Sequence, residues 1–494
     1  MTEKKKQQAP DRTGVEKFLS GIPGLDRVME GGLPRCRTVL VSGETGCGKT
    51  ILLHEFLYRG LHDHGEPGVF VTFEEHPDEM LANVANFKWD YEQYYRDGKL
   101  LFADFSPSHD REIETAGSYE LDPVVARILS AVQKIGAKRV AIDNIGMLFS
   151  RFEDIGEIRR ILFLLSDRLK EAGISTLFTA EIEEGSSQLS RHGFMEFVAD
   201  GVIVLRTHVG QNQMSRSLQV RKMRGIDYRT GTVEYDISDK GMRIFPKIPV
   251  DLSVASTDFH VRRSFGVPAL DEALGGGIPQ GHMLLVTGNT GTGKTTLGMQ
   301  FLQQGIGDGE NVVWVAMEEP VPQVLKTAAA HGWDFETLVR QGRLSFVTCS
   351  LLDLSPDRLL YQIVDTVEAV GANRVVFDSV SSLESSIMSK ERVREFLIQL
   401  TVYLKTRGTN CIMNYLSAES FQASSGNLLS SMATNEMRLS SIVDGIIMLR
   451  YVEREQTVMK LLNILKLRGS VHAKDIFRYE IDTGGIRLGE RFNF

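Results

Sequence analysis

Short apolar runs recur along this chain, and they recur twice in the same order. In the first half Thr38-Val39-Leu40-Val41, Gly68-Val69-Phe70-Val71-Thr72-Phe73 and Val140-Ala141-Ile142 are almost continuously apolar. Their counterparts in the second half are Met283-Leu284-Leu285-Val286, Val312-Val313-Trp314-Val315-Ala316-Met317 and Val375-Val376-Phe377. Runs this short and uniform predict strands buried on both faces of a parallel sheet. Ile51-Leu52-Leu53 and Leu297-Gly298-Met299, shortly after the first strand of each set, open helix-like runs. The pattern predicts an α/β fold: two tandem domains, each a mostly parallel sheet flanked by helices on both faces.

What lies between that strand and that helix sharpens the picture. The first half reads Gly43-Glu44-Thr45-Gly46-Cys47-Gly48-Lys49-Thr50 and the second Gly288-Asn289-Thr290-Gly291-Thr292-Gly293-Lys294-Thr295. Both satisfy G-x-x-x-x-G-K-[ST], the phosphate-binding loop. Glycines let successive N–H groups point inward around phosphates, and the helix N-terminus adds positive potential. The lysine reaches the terminal phosphates and the threonine hydroxyl holds magnesium. A glycine-rich turn with a solvated lysine is the bland alternative, and two copies in equivalent contexts argue against it.

Three further features repeat. Glu74-Glu75 and Glu318-Glu319 follow the second strand of each set, at the carboxyl end where parallel sheets bind ligands. These acids would otherwise only favour the next helix start, as at His76-Pro77-Asp78-Glu79. Asp143 and Asp378 end the third strand, where a carboxylate orients magnesium or its water shell. In Val220-Arg221-Lys222-Met223-Arg224-Gly225 and Leu465-Lys466-Leu467-Arg468-Gly469, Lys222 and Arg224, and Lys466 and Arg468, alternate with an apolar residue, which on a strand puts both cations on one face. Such cations can stabilise a transferring phosphoryl group or merely protect a sheet edge. The lysines of the two loops stand 245 positions apart, and the aspartates 235. The second copy is therefore shorter before that aspartate. It recovers the length between Asn414 and Leu439, a Ser-, Ala-, Asn- and Met-rich stretch that reads as a loop plus a short helix.

The organisation that follows is a disordered tail at 1–14, a first domain at 15–246, a linker at 247–260 and a second domain at 261–494. Totals change little. A net charge of −8 speaks against a strongly basic nucleic-acid binder. The four cysteines, Cys36, Cys47, Cys349 and Cys411, form no C-x-x-C pair, which fits a reducing cytoplasm. Cys47, inside a phosphate loop, reads as an inert small residue rather than a redox sensor. No apolar run approaches the length of a membrane-spanning helix, and the Lys/Gln-rich N-terminus is not a signal peptide.

These residues together resemble the KaiC family, the duplicated RecA-like ATPases and autokinases of the circadian clock. The resemblance runs from about Val15 to Phe494. It rests on both phosphate loops, both glutamate pairs, both K-x-R-G segments and Gly469-Ser470-Val471-His472-Ala473-Lys474. It implies a two-tiered ring, usually a homohexamer, with ATP and Mg2+ at subunit interfaces. Lys49, Thr50, Glu74, Glu75 and Asp143 would form one site. Lys222 and Arg224 would reach it from the neighbouring subunit, with Tyr228 and Asp239 also near the nucleotide. Lys294, Thr295, Glu318, Glu319 and Asp378 would form the other, with His331, Lys466, Arg468, His472 and Lys474. Thr50, Asp143, Thr295 and Asp378 would serve the metal. The first site would hydrolyse ATP slowly. In the second, Glu318 would take a proton from a protein hydroxyl.

The resemblance also points to the acceptor. Where the family carries an adjacent Ser-Thr pair, this chain has Ser440-Ser441, while the first half has Glu196-Phe197. The departures are Ser441 for a threonine, Tyr228 where the second half has His472, and His331 where the family often stacks a tryptophan on adenine. The sequence stops soon after Gly484-Gly485-Ile486-Arg487, so control by a KaiA-type activator is not expected. A KaiB-like partner and output through a sensor histidine kinase remain open. Two other classes compete. A RecA- or DnaB-like DNA motor would need basic loops that the acidic balance does not supply. A nucleotide-gated scaffold would need little turnover, against which the intact glutamate pairs speak.

Overall fold

A computed structural model describes residues 14–106, 122–147, 155–182, 195–209, 214–249, 260–351, 354–387, 389–417, 439–454 and 456–492. The chain forms two compact units, Met1–Pro246 and Lys247–Phe494. The expected tail lies almost wholly outside the described residues, as does most of the expected linker. Of the stretch from Asn414 to Leu439, Asn414–Leu416 finishes a strand, and residues 418–438 lie outside the description.

Each unit is built on a nine-stranded sheet. The first unit's order is Gly241–Phe245, Thr232–Ser238, Met214–Met223, Gly201–Val209, Thr38–Gly43, Ser175–Glu181, Arg139–Asp143, Gly68–Thr72 and Leu100–Asp104. The second unit repeats it as Gly485–Arg491, Ile476–Asp482, Thr457–Leu467, Gly445–Arg454, Met283–Gly288, Asn410–Leu416, Arg374–Asp378, Val312–Ala316 and Leu344–Thr348. From Gly201–Val209 and Gly445–Arg454 to the far edge the pairing is parallel; the remaining strands of each sheet are antiparallel.

The strand preceding each phosphate loop is buried throughout because it lies mid-sheet with helices on both sides. Its side chains alternate between two cores, as the pleat requires. Val39 and Val41 join Leu52, Leu53 and Phe56 of the helix Lys49–His64. Leu40 joins Val125, Ile128, Ile158 and Ile161 of the helices Asp122–Ile135 and Ile155–Glu171. In the second unit Leu284 and Val286 face Leu297 and Phe301 of the helix Lys294–Gly307, while Met283 and Leu285 face the helices Pro356–Val370 and Lys390–Thr406. Truncating one such core leucine to alanine costs about 2–5 kcal/mol.

Register places the chemistry at one end. Thr72 pairs with Asp143, and Ala316 with Asp378, so the glutamate pairs leave the sheet beside the aspartates. At the opposite end of these strands a fully buried arginine fastens each unit. Arg139 binds Glu66 at 2.7 Å and the carbonyls of Leu19, Ser20 and Phe56. Arg374 binds Glu310 at 2.5 Å, Asp308 at 2.8 Å and the carbonyls of Ser264 and Phe301. A buried charge is tolerable only when satisfied in this way.

The cation-bearing strands differ from expectation in one respect. The strands end at Met223 and Leu467, so Arg224 and Arg468 lie just beyond them. Each strand also carries a bulge, opposite Val202/Ile203 and Ile446/Ile447, immediately before its lysine. Bulges re-aim the side chains beside them. No described helix is long and apolar enough to cross a membrane.

Candidate nucleotide-binding sites

The loops owe their shape to glycine. Gly46, Gly48, Gly291 and Gly293 have φ of 78°, 92°, 80° and 95°, a left-handed backbone that other residues adopt only under strain. A Cβ on Gly48 would stand 2.5 Å from the Ile237 side chain, and one on Gly293 would stand 2.5 Å from Ile481. The Tyr235 hydroxyl donates to the Cys47 carbonyl, and the Tyr479 hydroxyl to that of Thr292. The C-terminal strands of each unit thus clamp its loop. Cys47 is fully buried and burial pushes its thiol up, so it is the inert packing residue expected.

Inside each loop the lysine bends back over the backbone. Lys49 Nζ donates to the carbonyls of Gly43 and Glu44, both at 2.9 Å, and Lys294 Nζ to those of Gly288 and Asn289, both at 2.8 Å. Burial lowers the pKa of Lys294, with Asp378 and Glu318 opposing. Thr50 Oγ1 donates to Asp143 Oδ2 at 2.6 Å, and Thr295 Oγ1 to Asp378 Oδ2 at 2.9 Å. Thr179 also donates to Asp143. Burial raises the pKa of Asp378, opposed by its hydrogen bonds. In the first unit these groups open on a cleft of about 310 Å³ lined by Thr45, Lys49, Thr50, Glu74, Glu75 and Asp143.

These groups fit a magnesium-bound nucleotide. Among the described residues no three His, Cys, Asp or Glu side chains gather as a metal cage. One hydroxyl and one carboxylate per unit suit an ion that completes its shell with phosphate oxygens and water. The glycine turns leave room for phosphates: a Cβ on Gly46 would meet nothing within 4 Å.

The glutamates divide the two sites. Glu74 accepts from Asn144 Nδ2 at 3.2 Å, and Gly146 N fixes Asn144 by donating to its Oδ1 at 2.9 Å. As a whole residue Glu74 is exposed, yet partial burial of its carboxylate raises its pKa, and Asp143 adds to the rise. Glu75 accepts from Asn83 at 3.1 Å. Glu318 instead accepts hydroxyl hydrogen bonds from Ser379, at 2.6 Å, and from Ser382. Glu319 is exposed.

The remaining expected residues lie elsewhere. Lys222 Nζ donates to the carbonyls of Glu196 and Ala199 at 2.8 and 2.7 Å, and Lys466 Nζ to those of Ser440 and Val443 at 2.5 and 2.8 Å. Burial, then the adjacent arginine, lowers the pKa of both lysines. Arg468 donates to the Ser441 carbonyl at 3.1 Å. Neither Lys222 nor Arg224 lines the cleft of its own loop. Tyr228 packs on the core and its hydroxyl meets the Arg221 carbonyl at 3.4 Å. Asp239 is paired with Lys88 at 2.6 Å. His331 leans on Trp333 and its Nδ1 lies 3.0 Å from the Asp482 carbonyl. His472 is half-buried and Lys474 exposed, in the segment before the strand Ile476–Asp482.

Sequence reading missed Asn144, Ser379, Ser382 and Thr179, which hold the carboxylates. A signal existed for two of them: Asn144 and Ser379 directly follow the repeated aspartate. Thr179 is one of three buried hydroxyls in the strand Ser175–Glu181, and nothing in the sequence marks it out from Ser175 and Thr176.

Comparison with known proteins agrees with this geometry. The family model described as "ATPase: KaiC" matches residues 18–248 and again 264–492. The chain is 35% identical over 480 residues to "Circadian clock protein KaiC3" of Synechocystis sp., covering 97% of this chain and 93% of that protein. It is 35% identical over 479 residues to "Circadian clock oscillator protein KaiC" of Parathermosynechococcus lividus, covering 97% and 86%. The protein of the same description from Acaryochloris marina is 34% identical over 488 residues, covering 99% and 91%. With both nucleotide loops intact and the family match spanning each half, the chain belongs to the KaiC family of ATPases.

Proposed function

We propose that the two halves divide the fate of ATP. The first half hydrolyses it slowly, with Glu74 or Glu75 activating water. The second half passes the γ-phosphoryl group to Ser440 or Ser441 of the chain itself, and the reverse reaction can remove it. In that transfer the serine Oγ bonds to the γ-phosphorus and the bond to the bridging oxygen of ADP breaks. The serine proton passes to Glu318. Thr50 and Asp143, or Thr295 and Asp378, would hold magnesium, which would supply neutralisation of phosphate charge.

The observation that carries this reading is the acceptor position. Lys466 and Arg468 hold the backbone of Ser440 and Ser441, and Ser441 is exposed. The matching first-half residues are Glu196 and Phe197, which offer no hydroxyl, although Lys222 holds that backbone in the same manner. The assembly in this reading is a hexameric double ring with nucleotide between subunits. Lys222 and Arg224, and in the second tier Lys466, Arg468 and His472, reach across to the neighbour's sites, with Tyr228, Asp239, His331 and Lys474 also near nucleotide. The absence of Lys222 and Arg224 from their own cleft supports that arrangement. The relatives' clock role suggests a clock-like or signalling task in the cytoplasm, with a KaiB-like protein and a sensor histidine kinase as partners.

The test is incubation of the pure protein with γ-labelled ATP, then peptide mapping by mass spectrometry. Label on Ser440 or Ser441 is expected. Free phosphate with no labelled serine overturns the kinase half of the proposal.

A further inference from the structure

Glu318 is gripped in a way that Glu74 is not. One oxygen, Oε1, accepts from both Ser379 Oγ and Ser382 Oγ, and the two hydroxyls meet at 3.0 Å. Glu74 has one amide donor, Asn144, at Ser379's place. At Ser382's place the first half has Met147, whose thioether has no proton to give. The element that carries the two serines is itself well fixed. Ser382 is buried, and Val380 and Leu383 beside it are fully buried in the second unit's core. Ser381 Oγ accepts from Leu416 N at 2.7 Å, tying the short helix Val380–Ser386 to the neighbouring strand Asn410–Leu416. Ser379 directly follows Asp378, the partner of Thr295 in the loop helix.

We infer that Ser379 and Ser382 are positioning residues that fix the Glu318 carboxylate for phosphoryl transfer at the second site. This rests on reading Glu318 as that site's base. The terminal torsion of a free glutamate is broad, so its oxygens sample many directions. Two donors converging on Oε1 fix the plane of the carboxylate and direct Oε2 outward to receive the proton. The same short segment carries Asp378, so base and magnesium-orienting carboxylate keep a set separation. Phosphoryl transfer is mostly positioning and charge neutralisation, which makes the rate sensitive to such a clamp. The first half, whose acceptor is mobile water, manages with one donor.

The experiment uses the full chain carrying Glu74→Gln and Glu75→Gln, which silence the first site's base while leaving its loop intact. Loss of γ-phosphate at the second site is counted as phosphoserine plus free phosphate, against ATP concentration. Ser382→Ala is expected to lower kcat about tenfold with KM unchanged. Ser382→Thr, which keeps the hydroxyl, is expected to restore kcat to within about twofold, and Ser382→Met, the first-half residue, to behave like alanine. A purely structural role would move KM and stability with kcat, or leave alanine unimpaired. Parental kcat in Ser382→Ala, or failure of threonine to restore it, overturns the inference. Free phosphate that falls in Ser382→Ala, with no phosphoserine even in the parent, removes the kinase reading and retains the clamp. A parent that yields neither product overturns both.

Discussion

The two halves agree in fold and in the frame of their loops, and differ in the side chains around each glutamate. Their sheets have the same strand order, and a Cβ added to Gly48 or Gly293 would stand 2.5 Å from the equivalent isoleucine, Ile237 or Ile481. Their buried arginines and loop lysines make matching bonds. Three of the differences stand out. Asn144 holds one glutamate and a serine pair the other; Glu196-Phe197 stands against Ser440-Ser441; and Glu55 stands against Gln300. The two copies share what shapes a phosphate cradle and differ in the partners of the glutamate beside it. A cradle tolerates little change, because its glycines hold a left-handed backbone and two of them, Gly48 and Gly293, have no space for a Cβ. A carboxylate's partners can change one hydrogen bond at a time.

The sharpest way to erase that contrast is to write the first half's acceptor into the second. Ser440→Glu with Ser441→Phe should abolish label incorporation, while nucleotide binding by the Thr295–Asp378 site persists. Residual label on any other serine of that site, seen by peptide mapping, would move the acceptor.

A second contrast lies in the helix behind each loop. Glu55 Oε2 accepts from Met242 N at 2.6 Å, and Gln300 Oε1 accepts from Ile486 N at 2.8 Å in the same place. Burial pushes Glu55 up to about 7 from 4.5; Met242 N–H and Arg59 oppose the rise, and Asp63 adds to it. The folded protein therefore keeps this proton at pH values where the unfolded chain has lost it. The stability of the first unit should fall as pH rises from about 4.5 to about 7, by about 3 kcal/mol. Glu55→Gln should flatten that slope and stabilise the unit at pH 8 by a similar amount. Denaturant unfolding across this pH range would show it, and an unchanged slope would contradict it.

The smallest effect probes what the halves share. Tyr235→Phe and Tyr479→Phe each leave a buried loop carbonyl without its hydroxyl donor, which costs about 1–2 kcal/mol. Unfolding of the two variants should report similar losses. A large imbalance would mean that the loops are not held alike.

Much of this is legible in the sequence. Continuous apolar runs mark three parallel strands of each nine-stranded sheet, and the motif at Gly43 and Gly288 marks both loops, because backbone chemistry at a fixed spacing leaves a sequence signature. Repetition located Glu74, Glu318, Asp143 and Asp378. The strand ends at Met223 and Leu467 were not legible, since a bulge shifts register without altering composition. Nor were the partners of Glu318: Ser382 reads as one serine among several in Ser379-Val380-Ser381-Ser382. Only the turn of a helix brings its hydroxyl to a glutamate 64 positions earlier.

The division of labour meets its most direct test in a reciprocal pair. Glu74→Gln with Glu75→Gln, and separately Glu318→Gln, would each be incubated with γ-labelled ATP while free phosphate and phosphoserine are followed together. The account predicts that the first variant loses most free phosphate and keeps label on Ser440 or Ser441, and that the second loses the label and keeps phosphate release. Loss of both products in equal proportion in either variant, or serine label that survives Glu318→Gln, would contradict it.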